Sequence, residues 1–141
     1  MGRSAEAFFA IMMAESDLKG MREMARKSVV RAMARFMSRY ELLLTPTLAV
    51  PPFAIHMQGP EKIEGRHVRP AEFLAFTFPI NLTGQPAASV PAGWTADGLP
   101  VGLQIVGRHL DDAMVLRASA AFEAASPWRD KWPPLLDELG L

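Results

Sequence analysis

The chain has 141 residues, half of them hydrophobic and 21% charged, enough for one globular domain. It has no cysteine, which excludes disulfides, thiolate metal sites and cysteine nucleophiles. Its formal net charge is zero but unevenly placed: residues 1–40 carry eight Lys/Arg against four Asp/Glu, and residues 41–141 carry seven against eleven. One basic helix beside an acidic remainder points to a solvated face or an internal match more than to a nucleic-acid or anionic-membrane surface. The N-terminal MGRSAEAFFAIMMAESD has a short apolar patch that soon turns acidic, unlike a secretion signal, so the cytoplasm is the expected location.

In chain order, residues 4–18 predict a short helix closed by Gly20. Residues 21–40 predict a stronger one, with Met21, Ala25, Val29, Met33, Phe36 and Tyr40 on one face. Lys27, Arg31, Arg35 and Arg39 step by four along another face, read here as the wet side of an amphipathic helix rather than a phosphate or RNA stripe. Leu42-Leu43-Leu44, ended by Thr45-Pro46, predicts a short buried strand. Residues 47–60 read as loop and 61–69 as a polar surface excursion. Pro70 is placed to open a helix reaching about Thr77, where its missing N–H costs nothing.

From Phe73 to Ala96 no residue is charged. A spanning helix needs about 20 largely apolar residues in succession, whereas Pro79, Pro86, Pro91, Asn81 and Gln85 interrupt this run. Strands and turns buried in protein are expected instead. Ala87–Val90 is one strand, confined by Pro91 to an edge or a bulge. Val101, Leu103 and Ile105 alternate with Gly102, Gln104 and Val106 on a return strand. Asp97-Gly98 between them signals a hairpin whose two central residues both take positive φ. Small residues at Ala87, Ala88, Gly93, Gly102 and Gly107 predict close approach of another element. Asp111 or Asp112 then caps a helix to about Ala125, with Met114, Ala118, Ala121, Phe122 and Ala125 buried, before an irregular tail over 128–141.

The chemistry-bearing motifs are sparse. His56, His67 and His109 lack metal-ligand spacing. Walker, GxGxxG and GxSxG patterns are missing. Ser16-Asp17-Leu18-Lys19 satisfies SxxK without its companion motifs, and Asn81-Leu82-Thr83 satisfies a glycosylation pattern inside a core-like run; both read as chance. The residues alone offer a core and no catalytic constellation.

Three blocks carry a resemblance: YELLLTPTLAVPPF (Tyr40–Phe53), FTFPINLTGQPAASVPAGW (Phe76–Trp94) and DGLPVGLQIVGRHLDDAMVLRASAAFE (Asp97–Glu123). In order and spacing they are similar to the C-terminal part of amidase signature enzymes, the Ser–Ser–Lys amide hydrolases among which the GatA-type component of glutamyl-tRNA amidotransferases belongs. The match spans roughly residues 21–134, and residues 1–20 are less typical. The resemblance implies an α/β fold, a mixed β-sheet flanked by helices, with residues 1–141 forming the C-terminal portion of a single amidase domain. If that sheet is shared with residues outside this chain, its strands here are expected to be incomplete neighbours.

In the family a lysine deprotonates one serine through a second, the nucleophile forms an acyl-enzyme with the amide, and backbone N–H groups hold the oxyanion. Those serines lie in a Gly/Ser-rich signature that this sequence does not contain, so no catalytic residue is assigned here and the chain is expected to be inactive alone. The segment before the FTFPINLTG block resembles the wall of the acyl pocket, which nominates Phe73, Leu74, Phe76 and Thr77 as substrate-binding, with plain core as the competing reading. Glutamine-using members place an aspartate three residues before the threonine matching Thr77, where this sequence has Leu74. The resemblance therefore implies a small apolar or aryl amide more than glutamine. It calls for no cofactor, metal, nucleic acid or membrane, and leaves a homo-oligomer open. Two alternatives stand beside it: a free-standing binding or assembly module, and a protein related to the GatA-type component of the amidotransferases.

Overall fold

The computed structural model describes residues 19–69, 71–130 and 132. Helix α1 (Lys19–Met37) leads into strand β1 (Leu42–Pro46). A two-stranded ribbon follows, β2 (Lys62–Ile63) with β3 (Arg66–His67), and then a single 3-10 turn over Glu72–Leu74. Helix α2 (Phe78–Thr83), strands β4 (Ala87–Trp94) and β5 (Pro100–Gly107), and helix α3 (Asp112–Ala125) complete the order. The predicted helix over 4–18, the Ser16 motif and the end of the tail lie outside the described residues.

The main sheet has the order β1-β5-β4 with both pairings antiparallel. Leu43 faces Val106 and Thr45 faces Gln104 across one pair; Ser89 faces Gln104 and Val90 faces Leu103 across the other. The strands are thus direct neighbours, and the expectation of incomplete ones is overturned. Side chains alternate between the two faces. On one face Val106, Met37 and Ile80 form a buried cluster with Met33 and Leu43 packed against it, so α1 and α2 cover that side. On the other, α3 lies against β4 and β5, where Val115, Ile105 and Val90 are buried. Helices on both faces of a sheet give the α/β class that the sequence implied.

Several elements differ from their sequence-based expectation for identifiable reasons. Helix α1 ends at Met37 instead of Tyr40, and the carbonyls of Met37 at its end and of Tyr40 just beyond it share one distant partner. Arg108 Nε donates to Met37 O at 3.0 Å and to Tyr40 O at 3.2 Å, meeting the C-terminal acceptors that helix geometry leaves open. Met37 is buried there, while Phe36 and Tyr40, both assigned to the buried face, are exposed and stack on each other at 4.7 Å. The helix expected over 70–77 is replaced by the 3-10 turn and by α2, which starts at Phe78 with Pro79 in its first turn. A proline inside a longer helix would remove an i→i−4 bond, so the helix restarts where the proline fits.

The hairpin forms over 87–107 as expected, with a bulge between Pro91 and Gly93 on the edge strand β4. Its turn is wider than a two-residue one. Gly98 N–H donates to Thr95 O at 3.0 Å, Thr95 N–H to Leu99 O at 2.8 Å, and Leu99 N–H to Thr95 Oγ1 at 3.0 Å. Only Gly98, at φ 75°, takes the left-handed conformation, and Asp97 does not. This is a three-residue loop, in which one αL residue suffices. Helix α3 is capped by Asp111, whose Oδ1 accepts from Met114 N–H at 3.2 Å. It buries Val115, with Met114, Ala118 and Phe122 half-buried, and leaves the expected Ala121 and Ala125 exposed.

Candidate functional site

The sheet face that carries the Met37–Ile80–Val106 core continues along the strands into a polar stripe and then a cleft. Gln104, the neighbour of Val106 two residues back on β5, is buried yet polar. Its amide Nε2 donates to Thr45 Oγ1 at 2.9 Å and to Phe76 O at 3.0 Å, so its donors are satisfied as burial demands. The second bond ties the segment before α2 to the sheet. One step further, Thr47 Oγ1 and Ser89 Oγ lie 2.6 Å apart. They meet over Gly102, where a Cβ would sit 2.6 Å from Thr47 Oγ1 and 2.8 Å from Ser89 Oγ. Thr47 is held in place by its own N–H, which donates to Gly102 O at 2.9 Å. The hydroxyl pair therefore depends on position 102 having no side chain.

Beyond that pair opens a cleft of about 500 Å³, walled by Thr47–Pro52, Ser89–Pro91, Thr95 and Pro100–Gly102. None of these residues is charged. A concave, mostly apolar wall with a few polar atoms at one end is the usual form of a small-molecule pocket. Its chemistry is that of a site for an uncharged, largely apolar group with one hydrogen-bonding atom.

The nominated residues stand next to this cleft rather than in it. Phe73 and Leu74 form part of the 3-10 turn, Phe76 presents its carbonyl to Gln104, and Thr77 stands at the N-cap of α2. Phe73 O accepts from Ala49 N–H at 3.1 Å, and its ring meets Phe53 edge-on at 5.2 Å. All four are half-buried. These contacts bring the segment 73–77 and the loop 47–53 together, but the cleft itself is lined by Thr47, Ser89 and Gly102, which sequence reasoning had not nominated. The small-residue signal at Gly102 was visible; its hydroxyl partner at Thr47, far earlier in the chain, was not. Among the described residues no three metal-ligating side chains gather, and His109 instead places Nδ1 3.1 Å from Gly84 O. No helix among them is long and apolar enough to cross a membrane.

The sequence profile of the Amidase family matches residues 5–116. The chain belongs to that family. An acylamidase of Rhodococcus erythropolis is 50% identical over 100 residues, which is 70% of this chain and 21% of the relative. The GatA-type component of a glutamyl-tRNA(Gln) amidotransferase from Streptococcus gordonii is 37% identical over 110 residues, 77% of this chain and 21% of the relative. Among solved structures, a bacterial aryl acylamidase of the amidase signature family superposes with a TM-score of 0.73 at 38% identity, covering 84% of this chain and 25% of that one. This amidase-family chain thus spans about a fifth of the length of the curated relatives it matches.

Proposed function

We propose that this chain is the C-terminal part of an amidase that hydrolyses a small apolar or aryl carboxylic amide through an acyl-serine intermediate, and that it is inactive without the rest of that enzyme. It supplies a three-stranded sheet, its covering helices and one wall of the substrate pocket; the Ser–Ser–Lys machinery comes from the remainder. The observation that carries the substrate class is the uncharged cleft beside the segment 73–77, with Leu74 where glutamine-using members carry an aspartate. The 50% identity to an acylamidase, against 37% to an amidotransferase component, supports the same choice. The charge that develops on the substrate's carbonyl oxygen would be met by groups outside this chain.

The experiment replaces the matching stretch of the Rhodococcus erythropolis acylamidase with this chain and assays an anilide. The chimaera is expected to hydrolyse it, and the 141-residue chain alone is expected not to. A folded chimaera without turnover, or turnover by the isolated chain, overturns the proposal.

A further inference from the structure

Gln104 is a polar side chain in an apolar setting. It lies 5% exposed on β5, between β1 and β4, and Ile105 and Val106 that follow it are buried. A hydrophobic residue of similar size would bring no polar group to satisfy there, whereas a buried amide must find partners. Its Nε2 has two protons and two acceptors, Thr45 Oγ1 and Phe76 O. The second acceptor fixes the orientation of the amide. A backbone carbonyl can only accept, so a flipped Gln104 would set two oxygens against each other at 3.0 Å. Methionine would offer Phe76 O no donor, and lysine or arginine would bury a charge.

Phe76 O is also one of the few fixed points of its segment. Among the described residues, two hydrogen bonds tie residues 73–77 to distant parts of the chain. Ala49 N–H donates to Phe73 O at 3.1 Å, and Gln104 Nε2 to Phe76 O at 3.0 Å. Other bonds there run to near neighbours, as from Thr77 N–H to Leu74 O at 3.1 Å. The two tethers differ in stiffness: Ala49 belongs to a loop, whereas Gln104 stands on the central strand, paired on both sides. Contacts borne on strands hold a geometry more closely than contacts borne on loops. Leu74 stands between the two tethered carbonyls, so the Gln104 bond governs how far this stretch stands from the sheet.

We infer that Gln104 is a positioning residue for acyl-group selection: through its bond to Phe76 O it sets where residues 73–77 stand, and so which acyl groups the pocket admits, without itself touching the substrate. This rests on the reading that the chain works as part of a larger amidase with that segment as a pocket wall. A displacement of about 1 Å in such a wall is enough to change turnover strongly. The bond to Thr45 Oγ1 has no such consequence, because it joins two strands and leads to no part of the wall.

The test measures kcat/KM of the acylamidase chimaera on two pairs of substrates. Acetanilide and butyranilide differ in the acyl group; acetanilide and para-methylacetanilide differ in the amine. An apolar wall that resolves one or two methylenes gives an acyl preference of about tenfold or more. Gln104→Met is expected to shrink that preference about fivefold or more, the factor that one neutral hydrogen bond carries, and to leave the amine ratio within about twofold. Thr45→Val removes the other acceptor of the same amide; it is expected to lower the urea midpoint and leave both ratios unchanged. Loss of folded protein scales all rates alike and cancels in a ratio, so a purely structural role moves neither. An active chimaera whose acyl ratio survives Gln104→Met, whose amine ratio moves as far, or whose acyl ratio shifts as much in Thr45→Val overturns the inference and leaves the amidase reading standing. A parent chimaera with no acyl preference also overturns it, since there is then no wall to set. An inactive, folded chimaera overturns the amidase reading and the inference with it. Where Gln104→Met does not fold, Gln104→Glu keeps the shape, turns an oxygen toward Phe76 O and has the same expected result. If neither folds, Gln104 serves the fold alone and the inference is overturned.

Discussion

Gly102→Ala places a methyl group where the Thr47–Ser89 hydroxyl pair now meets. The new Cβ would stand 2.6 Å from Thr47 Oγ1, 2.8 Å from Ser89 Oγ and 3.1 Å from Thr47 Cβ. Ser89 is exposed and can turn its hydroxyl away at little cost. Thr47 cannot follow as easily, because it is β-branched at χ1 and its backbone is bonded to residue 102 itself. Overpacking of this kind costs about 1–3 kcal/mol, and the lost hydroxyl pair adds about 1 kcal/mol. Against this, alanine in a strand regains about 0.5–1 kcal/mol of backbone entropy over glycine. The net expectation is a loss of about 1–3 kcal/mol, read as a fall in the urea midpoint at unchanged slope. Thr47→Ala removes Oγ1 and should absorb most of the clash, so the double variant is expected to be more stable than the sum of the singles by about 1 kcal/mol or more. A Gly102→Ala protein as stable as the parent, or strictly additive with Thr47→Ala, refutes the claim that the glycine is there to make room.

Gln104→Leu leaves Phe76 O and Thr45 Oγ1 without their buried donor and should cost about 1–3 kcal/mol, measured by urea unfolding. Asp111→Ala removes the cap of α3 and should lower stability by about 1 kcal/mol, with Asp111→Asn retaining most of it, by the same measurement. In the acylamidase chimaera, the proposed function expects Leu74→Asp to reduce anilide turnover about tenfold or more, since a carboxylate introduced next to the uncharged cleft must be desolvated when an apolar group fills it; unchanged kcat/KM would rule out a substrate-binding role for Leu74.

The fold was legible where local chemistry decides it. The leucine run, the 87–107 hairpin with its edge proline and the Asp111 cap can each be read from a few adjacent residues, and each forms where it was expected. The leucine strand is not the buried one foreseen, however: Leu42 and Leu43 are half-buried and Leu44 is exposed, because the strand lies at the sheet's edge. The failures share a different cause. Phe36 and Tyr40 read as core by periodicity, but it is Met37 that is buried at the end of α1, where its carbonyl accepts from Arg108, 71 positions away, a contact no local pattern announces. Pro70 looked like a helix start, yet Pro79 offered a better one beside the sheet. Val115 escaped the expected buried face because alanines at helical spacing drew that face a step away from it. The segment 73–77 was nominated by resemblance and stands beside the cleft. Thr47 and Gln104 became visible only when the sheet register put them opposite Gly102 and Thr45.

That register also orders events in time. The β4–β5 hairpin closes through a three-residue loop, whereas the β1–β5 pairing joins residues such as Thr45 and Gln104, 59 positions apart. Closing a long loop is entropically slower than closing a turn. The hairpin is therefore expected to exist first as a two-stranded ribbon, with Val106 waiting uncovered until β1 and α1 arrive together. In a polypeptide made from its N-terminus, β1 is synthesised well before its partner, and its three leucines must stay soluble until β5 emerges.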